Sequence, residues 1–312
     1  MTERIKSPGR RRVEQFFVRG MAKVFGFLAR IIPLRVFQRI GNVGGLLIMA
    51  CSPWRQKLAD RNLQAAFGDR YDARARRRIR RLVCQGISKT MLELLKIPHM
   101  TPDQIRRIIS VEGIEHLREA VAAGKGGIIL TAHYGNWELV NAAVLIEGLP
   151  VSVVARDAPD DFVAGTINAA RERHGGHVVD QYDVRGMLEV LRRGELLGIL
   201  PDQHAKHGGL LGTFLGVPAS LAPGPATFAV RTHCAVIPCF SYRQPDDTFK
   251  CRIFPPLQLI STGDRDRDVA LNTQLLMDVI GEQIREHPEQ WLWLHDRWRP
   301  HDATKRITPE DE

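Results

Sequence analysis

The chain reads as an α/β domain: a central, mostly parallel mixed sheet flanked by helices, preceded by a basic helical region that associates with membranes. Three observations predict this. Short apolar, β-branched runs at 128–130, 151–155, 178–179 and 196–200 recur between longer helical stretches. Such alternation builds a parallel sheet covered on both faces. Polar residues follow three of those runs, at His133, Arg156 and Asp202, where an open α/β sheet presents its ligand-binding edge. Lys and Arg outnumber Asp and Glu 24 to 7 in residues 1–110, and the remainder is net acidic. The formal charge of +9 therefore belongs to the N-terminal third. Such a region attracts anionic lipid headgroups or nucleic acid.

Three units follow: a basic helical region at 1–110, an α/β domain at 111–300 and a polar tail at 301–312. Residues 1–12 are polar and basic, a composition that favours disorder. Over 13–49 apolar residues are interspersed with widely spaced cations, Arg19, Lys23, Arg30, Arg35 and Arg39, and Pro33 divides the stretch into two helices. Few acids offset those cations. The stretch suits an interfacial anchor, or else a helical hairpin packed on the domain. The longest uncharged run here, 40–54, has fifteen residues and is interrupted by Gly41, Gly44, Gly45 and Pro53. That falls short of the roughly 18–20 needed to span a bilayer. No secretory signal is expected, since the first apolar stretch begins only near Met21. Residues 54–110 read as helical. Six arginines stand among the eight residues 74–81, either a solvated helix face or a contact for an anionic surface.

Residues 111–123 read as a helix running to a turn at Gly124. The stretch 124–139, GKGGIILTAHYGNWEL, organises the rest. Its apolar run is a buried strand, His133 follows it, and Asn136 is placed to cap a helix that begins at Trp137. Glu138 sits in that helix's first turn. Across a strand–turn–helix junction an imidazole and a carboxylate five residues apart can meet. A carboxylate on one ring nitrogen fixes the tautomer and leaves the other free to take a proton. The same spacing also describes a strand-end histidine beside a Glu that favours the helix dipole.

Further helices are expected at 162–174, 184–193 and 268–287, and later strands at 234–242 and 249–254. The five cysteines form no CxxC and suit reduced, buried thiols in a cytoplasmic setting. His174/His177 and His204/His207 are spaced i, i+3 in Gly-rich loops without further ligands near in sequence, and no metal site is expected there. No Walker loop and no GxSxG elbow is present.

HYGNWEL after an apolar strand resembles the catalytic block of the bacterial lipid A late acyltransferases, within the lysophospholipid acyltransferase superfamily and its His-x4-Asp/Glu signature. Other stretches resemble that family in the same order: GILPDQ at 198–203, FLGVPA at 214–219, GPATFA at 224–229, and HPEQWLWLH at 287–295 followed by Arg297-Trp298-Arg299. The resemblance implies a glycerolipid acyltransferase-like fold. It implies transfer of a fatty acyl chain from an acyl carrier protein thioester to a hydroxyl of an anionic lipid A precursor, with no further cofactor and no nucleic acid partner. It also implies a peripheral or monotopic place on the cytoplasmic face of the inner membrane. His133 would be the base and Glu138 its partner, with Arg156, Asp202, Gln203 and Asn136 binding substrate. Phe214 and Leu215 would wall an acyl pocket, or be ordinary core. The tryptophans at 291, 293 and 298 would sit at the membrane interface or pack in the core. The segment after Arg156 lacks the family's Asn. Acyl-CoA as donor, another glycolipid or a lysophospholipid as acceptor, or a non-catalytic anionic-surface binder are the rival readings.

Overall fold

The computed structural model describes residues 20, 24, 26–155, 165, 168 and 171–299. The expectations for 1–12, for Arg156, for most of 162–170 and for the tail lie outside them. The strands are β1 (Ile109–Glu112), β2 (Gly127–Leu130), β3 (Val151–Ala155), β4 (His177–Asp180), β5 (Leu196–Ile199), β6 (Leu210–Phe214), β7 (Val217–Leu221), β8 (Ala235–Arg243) and β9 (Phe249–Ile253). Seven of them form one sheet in the order β1-β9-β8-β2-β5-β3-β4. Strands β8, β2, β5, β3 and β4 run parallel. β9 pairs antiparallel with β8, and β1 lies parallel to β9. The expected mostly parallel mixed sheet is thus the observed one.

Helices cover both faces. α4 (Pro102–Ile108), α5 (Ile114–Ala122) and α6 (Trp137–Ile146) contribute to one core, and α7 (Val184–Arg192), α8 (Gly224–Thr232) and α9 (Arg265–Glu286) to the other. Side chains on successive strand residues point to opposite faces. Accordingly Ile128 and Leu130 of β2 enter the second core while Ile129 enters the first, and in β8 Val236 and Phe240 part from Ile237 and Cys239 in the same way. This explains why the central strands read as unbroken apolar runs.

One expectation is corrected. Residues 111–123 are not all helix: β1 ends at Glu112, Gly113 turns at φ +82°, and α5 follows. Ile109 to Glu112 align with Phe249 to Arg252, a long-range pairing that no local pattern announces. The β6–β7 hairpin was likewise not expected as strands.

The N-terminal third is helical: α1 (Leu34–Cys51), α2 (Pro53–Phe67) and α3 (Ala73–Lys96). Residues 26–31 are helical too, and the break falls at Pro33 as expected. Gly41, Gly44 and Gly45 do not interrupt α1. A Cβ at Gly41 would meet Lys89, and one at Gly45 would strike the backbone at Gln85, so these glycines let α1 lie against α3. The opposite side of α1 exposes Val36, Val43, Leu46 and Leu47, the last 60% accessible. No helix among the described residues is long and apolar enough to cross a membrane.

Candidate active site

β2 and β5 are parallel neighbours, with Leu130 opposite Ile199. Three residues beyond each partner lie His133 and Asp202, which brings them to one point of the sheet edge. His133 Nδ1 lies 2.9 Å from Asp202 Oδ1, and the His133 backbone N–H donates to Oδ2 at 3.0 Å. Trp291 Nε1 donates to Oδ2 at 2.8 Å. Asp202 is 1% exposed, so its charge is stabilised by these donors rather than by bulk water. A carboxylate on Nδ1 places the ring proton there, so Nε2 carries the lone pair and accepts from the Gln203 amide Nε2 at 3.3 Å.

Burial pushes the His133 pKa down, but the charge and hydrogen bond of Asp202, with Glu138 behind them, outweigh it and hold the imidazole above its ordinary value. Burial pushes Asp202 up. The imidazole, the indole N–H and the His133 backbone N–H reverse that and hold it below the usual carboxylate range.

The turn carrying His133 is clamped from the C-terminal side. The His133 carbonyl accepts from Leu292 N at 3.1 Å, and Gly135 N donates to Gln290 O at 2.9 Å. Gly135 has φ +57°, and a Cβ there would collide with the Ser241 carbonyl, so only glycine fits. The His133 and Trp137 rings meet edge-on with centroids 5.1 Å apart.

The carboxylate on the imidazole is therefore Asp202, which corrects the expectation that Glu138 holds it. Glu138 faces Arg171 instead, through Nη2–Oε1 at 2.6 Å and Nε–Oε2 at 3.0 Å, and accepts from Trp137 Nε1 at 3.1 Å. The helix start turns Glu138 away from the ring, whereas Asp202 reaches it along the neighbouring strand. Asn136 does cap α6, its Oδ1 accepting from Leu139 N at 3.0 Å. It is fully buried and its amide donates to Glu93, so it serves the scaffold rather than touching substrate. Phe214 and Leu215 are core: Phe214 packs between Trp291, 5.5 Å away, and the guanidinium of Arg297. Trp291 and Trp293 are buried as well, and Trp298 packs against them. Arg171 was not singled out, since nothing in the sequence links position 171 to position 138, and Trp291 was read as an interface or core tryptophan rather than as a partner of Asp202. Among the described residues no group of His, Cys, Asp and Glu is placed to hold a metal ion.

Two clefts meet at His133 and Trp137. One, of about 660 Å³, runs between α1, α3 and the end of β8, with Arg78, Gln85, Gln244 and Arg252 standing beside Leu82, Ile87 and Tyr242 in its lining. The other, of about 940 Å³, lies over the edge of β2, β3 and β5 and has an apolar floor of Ile129, Val140, Val151, Val153, Val154 and Ile199. Glu138 and Arg171 stand in its wall. Both clefts mix polar and apolar lining; the first is named the polar cleft for its amide and guanidinium side chains, the second the apolar cleft for its floor on the sheet.

Residues 9–300 match the family described as bacterial lipid A biosynthesis acyltransferase. The chain is 27% identical to the phosphatidylinositol mannoside acyltransferase of Mycobacterium tuberculosis (strain CDC 1551 / Oshkosh) over 66% of each chain. It is 24% identical to the lipid A biosynthesis lauroyltransferase of Escherichia coli K12 over 86% of this chain and 87% of that one. The solved structure of the 1-acyl-sn-glycerophosphate acyltransferase PlsC from Thermotoga maritima aligns with a TM-score of 0.37 at 13% identity, covering 83% of this chain and 100% of that one. With the match extending over nearly its whole length, the chain belongs to the bacterial lipid A biosynthesis acyltransferase family.

Proposed function

We propose that this protein transfers a fatty acyl chain from an acyl carrier protein thioester to a hydroxyl of a lipid A precursor. The observation that carries the reading is the His133–Asp202 pair, which stands where the two clefts meet. The apolar cleft takes the acyl chain and the polar cleft the acceptor's sugar. His133 Nε2 removes the hydroxyl proton as the oxygen attacks the thioester carbonyl. Asp202 stays ionised and stabilises the imidazolium that forms. The thiolate then leaves and recovers that proton, giving ester and free thiol. Attack is direct, in a ternary complex, because both clefts open onto the same imidazole. Glu138 raises the basicity of His133 through space and keeps Arg171 in the wall of the acyl cleft.

The protein lies on the cytoplasmic face of the inner membrane through α1, whose exposed apolar side and flanking Arg35, Arg39 and Arg55 suit a lipid–water boundary. A second reading exchanges the acceptor for another phosphorylated glycolipid acylated from acyl-CoA. The likeness to the mycobacterial phosphatidylinositol mannoside acyltransferase supports the change of acceptor.

The test incubates the protein in membranes with acyl carrier protein or CoA thioesters of several chain lengths and either a tetra-acylated lipid A precursor or a phosphatidylinositol mannoside. Mass spectrometry reads the products. One added chain on the lipid A precursor, reduced about 10²–10⁴-fold in His133→Ala, is expected. Transfer only to the mannoside selects the second reading, and no transfer with any pair overturns both.

A further inference from the structure

Beneath the catalytic turn lies a buried polar cluster that the mechanism above does not use. Glu93 of α3 is 2% exposed, and its carboxylate accepts four hydrogen bonds. Arg243 of β8 donates both terminal nitrogens at 2.7 Å, Gln38 of α1 donates at 2.9 Å, and Asn136 donates at 2.8 Å. Arg243 Nη2 also donates to Thr90 Oγ1 at 3.2 Å, and the Thr90 hydroxyl donates to the Gly135 carbonyl at 3.2 Å. Two of these contacts therefore end on Gly135 and Asn136, the residues between His133 and α6.

A buried ion pair is a poor source of stability, since apolar residues of equal volume often do as well. What a fully satisfied network supplies is a fixed geometry. Here the geometry fixed is that of the turn bearing the base. Asn136 does two things at once: its Oδ1 caps α6 and its Nδ2 reaches Glu93. We propose that Glu93, held by Arg243, is a positioning residue for acyl transfer, pinning Asn136 and the Gly135 carbonyl so that His133 stays in register with Asp202. The proposal rests on the reading of His133 as the base. Because Gln38 belongs to α1, the same carboxylate joins the exposed apolar helix to the catalytic turn.

Two variants separate positioning from bulk stability. Asn136→Ser keeps a capping oxygen but has no amide to reach Glu93. Glu93→Leu with Arg243→Met removes both charges together and leaves neither unpaired. Each is assayed for kcat, KM and thermal midpoint, and the His133 ring is titrated by NMR in the full chain. The expected result is a loss of about 10–100-fold in kcat, as for an ångström-scale misplacement of a reacting group. KM stays within about twofold for Asn136→Ser, while Arg243 also lines the polar cleft and the double variant is read by kcat and the His133 titration; in each the loss exceeds anything the change in thermal midpoint accounts for. The His133 titration moves to lower pH as its contact with Asp202 loosens. Unchanged kcat and an unchanged His133 titration in folded variants would overturn the proposal. So would losses that only track the thermal midpoint. If the wild-type chain transfers no acyl group, or His133→Ala is fully active, the base reading fails on its own. The titration then still decides whether Glu93 positions the imidazole.

Discussion

The two clefts at His133 carry polar and apolar lining in similar proportion, and what separates them is where the apolar part sits. The apolar cleft lies on the sheet, floored by strand and helix residues, Val151, Val153, Val154 and Val140, of which Val140 and Val151 are also core, with Glu138, Arg171 and Arg299 in its walls. The polar cleft lies between the sheet and the N-terminal helices, lined by long side chains such as Arg78, Gln85 and Gln244. A rigid apolar floor measures the length and bulk of a chain but distinguishes hydroxyls poorly. A groove of amide and guanidinium donors does the reverse. His133 belongs to both, and the first prediction concerns the residue that makes that shared role possible.

Asp202→Asn should produce the largest change, because it acts on chemistry common to the two clefts. The carboxamide removes the charge that holds the proton on Nδ1, so kcat falls by more than about tenfold for every donor and acceptor, with general-base catalysis worth about 10²–10⁴-fold in all. The sign of the pH effect follows from the causes of the shift. As the proposed base, His133 works only when neutral, so activity should be lost as pH falls through its pKa. Asp202 holds that pKa up against burial. Without the carboxylate the acidic limb of kcat/KM therefore moves to lower pH. A limb that stays in place, or moves upward, would show that Asp202 does not govern the imidazole.

How much of this was legible in the sequence depends on the range of the interaction. The sheet was readable because its central strands are unbroken apolar runs, and the position of His133 followed from the strand that precedes it. The Asn136 cap is a local bond, and it was read correctly. The partner of the histidine was not. His-x4-Glu is visible as a string, whereas the 2.9 Å contact to Asp202 exists only because β5 pairs with β2 across 69 residues. Glu138 was assigned to the imidazole because sequence shows proximity along the chain, while its real partner Arg171 lies 33 positions away. Phe214 and Leu215 stayed open between pocket wall and core for a related reason: an apolar pair in a resembling block carries no sign of which side of it faces a cavity.

A pair of variants sharpens the contrast between the clefts themselves. Val153→Phe narrows the floor of the apolar cleft. It should lower kcat/KM for long acyl donors by about tenfold, within the range that small changes of apolar volume produce, and leave short donors and the acceptor KM nearly untouched. Gln244→Ala in the polar cleft should raise the acceptor KM several-fold, about what one hydrogen bond of roughly 1 kcal/mol provides, with no effect on chain-length preference. Steady-state kinetics with matched series of donors and acceptors checks both. If the effects exchange places, the assignment of chain and sugar to the two clefts is reversed.

The smallest effect belongs to the surface beyond the polar cleft. Leu47 lies on the open side of α1, 60% exposed, while the Gly41 and Gly45 side of the same helix is locked against α3. Leu47→Gln therefore removes apolar area from the surface without touching a packed contact, and the thermal midpoint should not move. If α1 rests in a lipid–water boundary, burial of one leucine is worth about 1.5–3 kcal/mol at full depth, and a side chain only partly immersed loses a fraction of that. Sedimentation with anionic vesicles should then show a several-fold weaker association for Leu47→Gln. The rate with a soluble, short-chain donor and acceptor should stay as it was, because neither cleft is altered. Equal vesicle binding by the variant and the parent would mean that the apolar side of α1 is not what meets lipid. The arginines at 74–81, next to the polar cleft through Arg78, would then be the surface to neutralise.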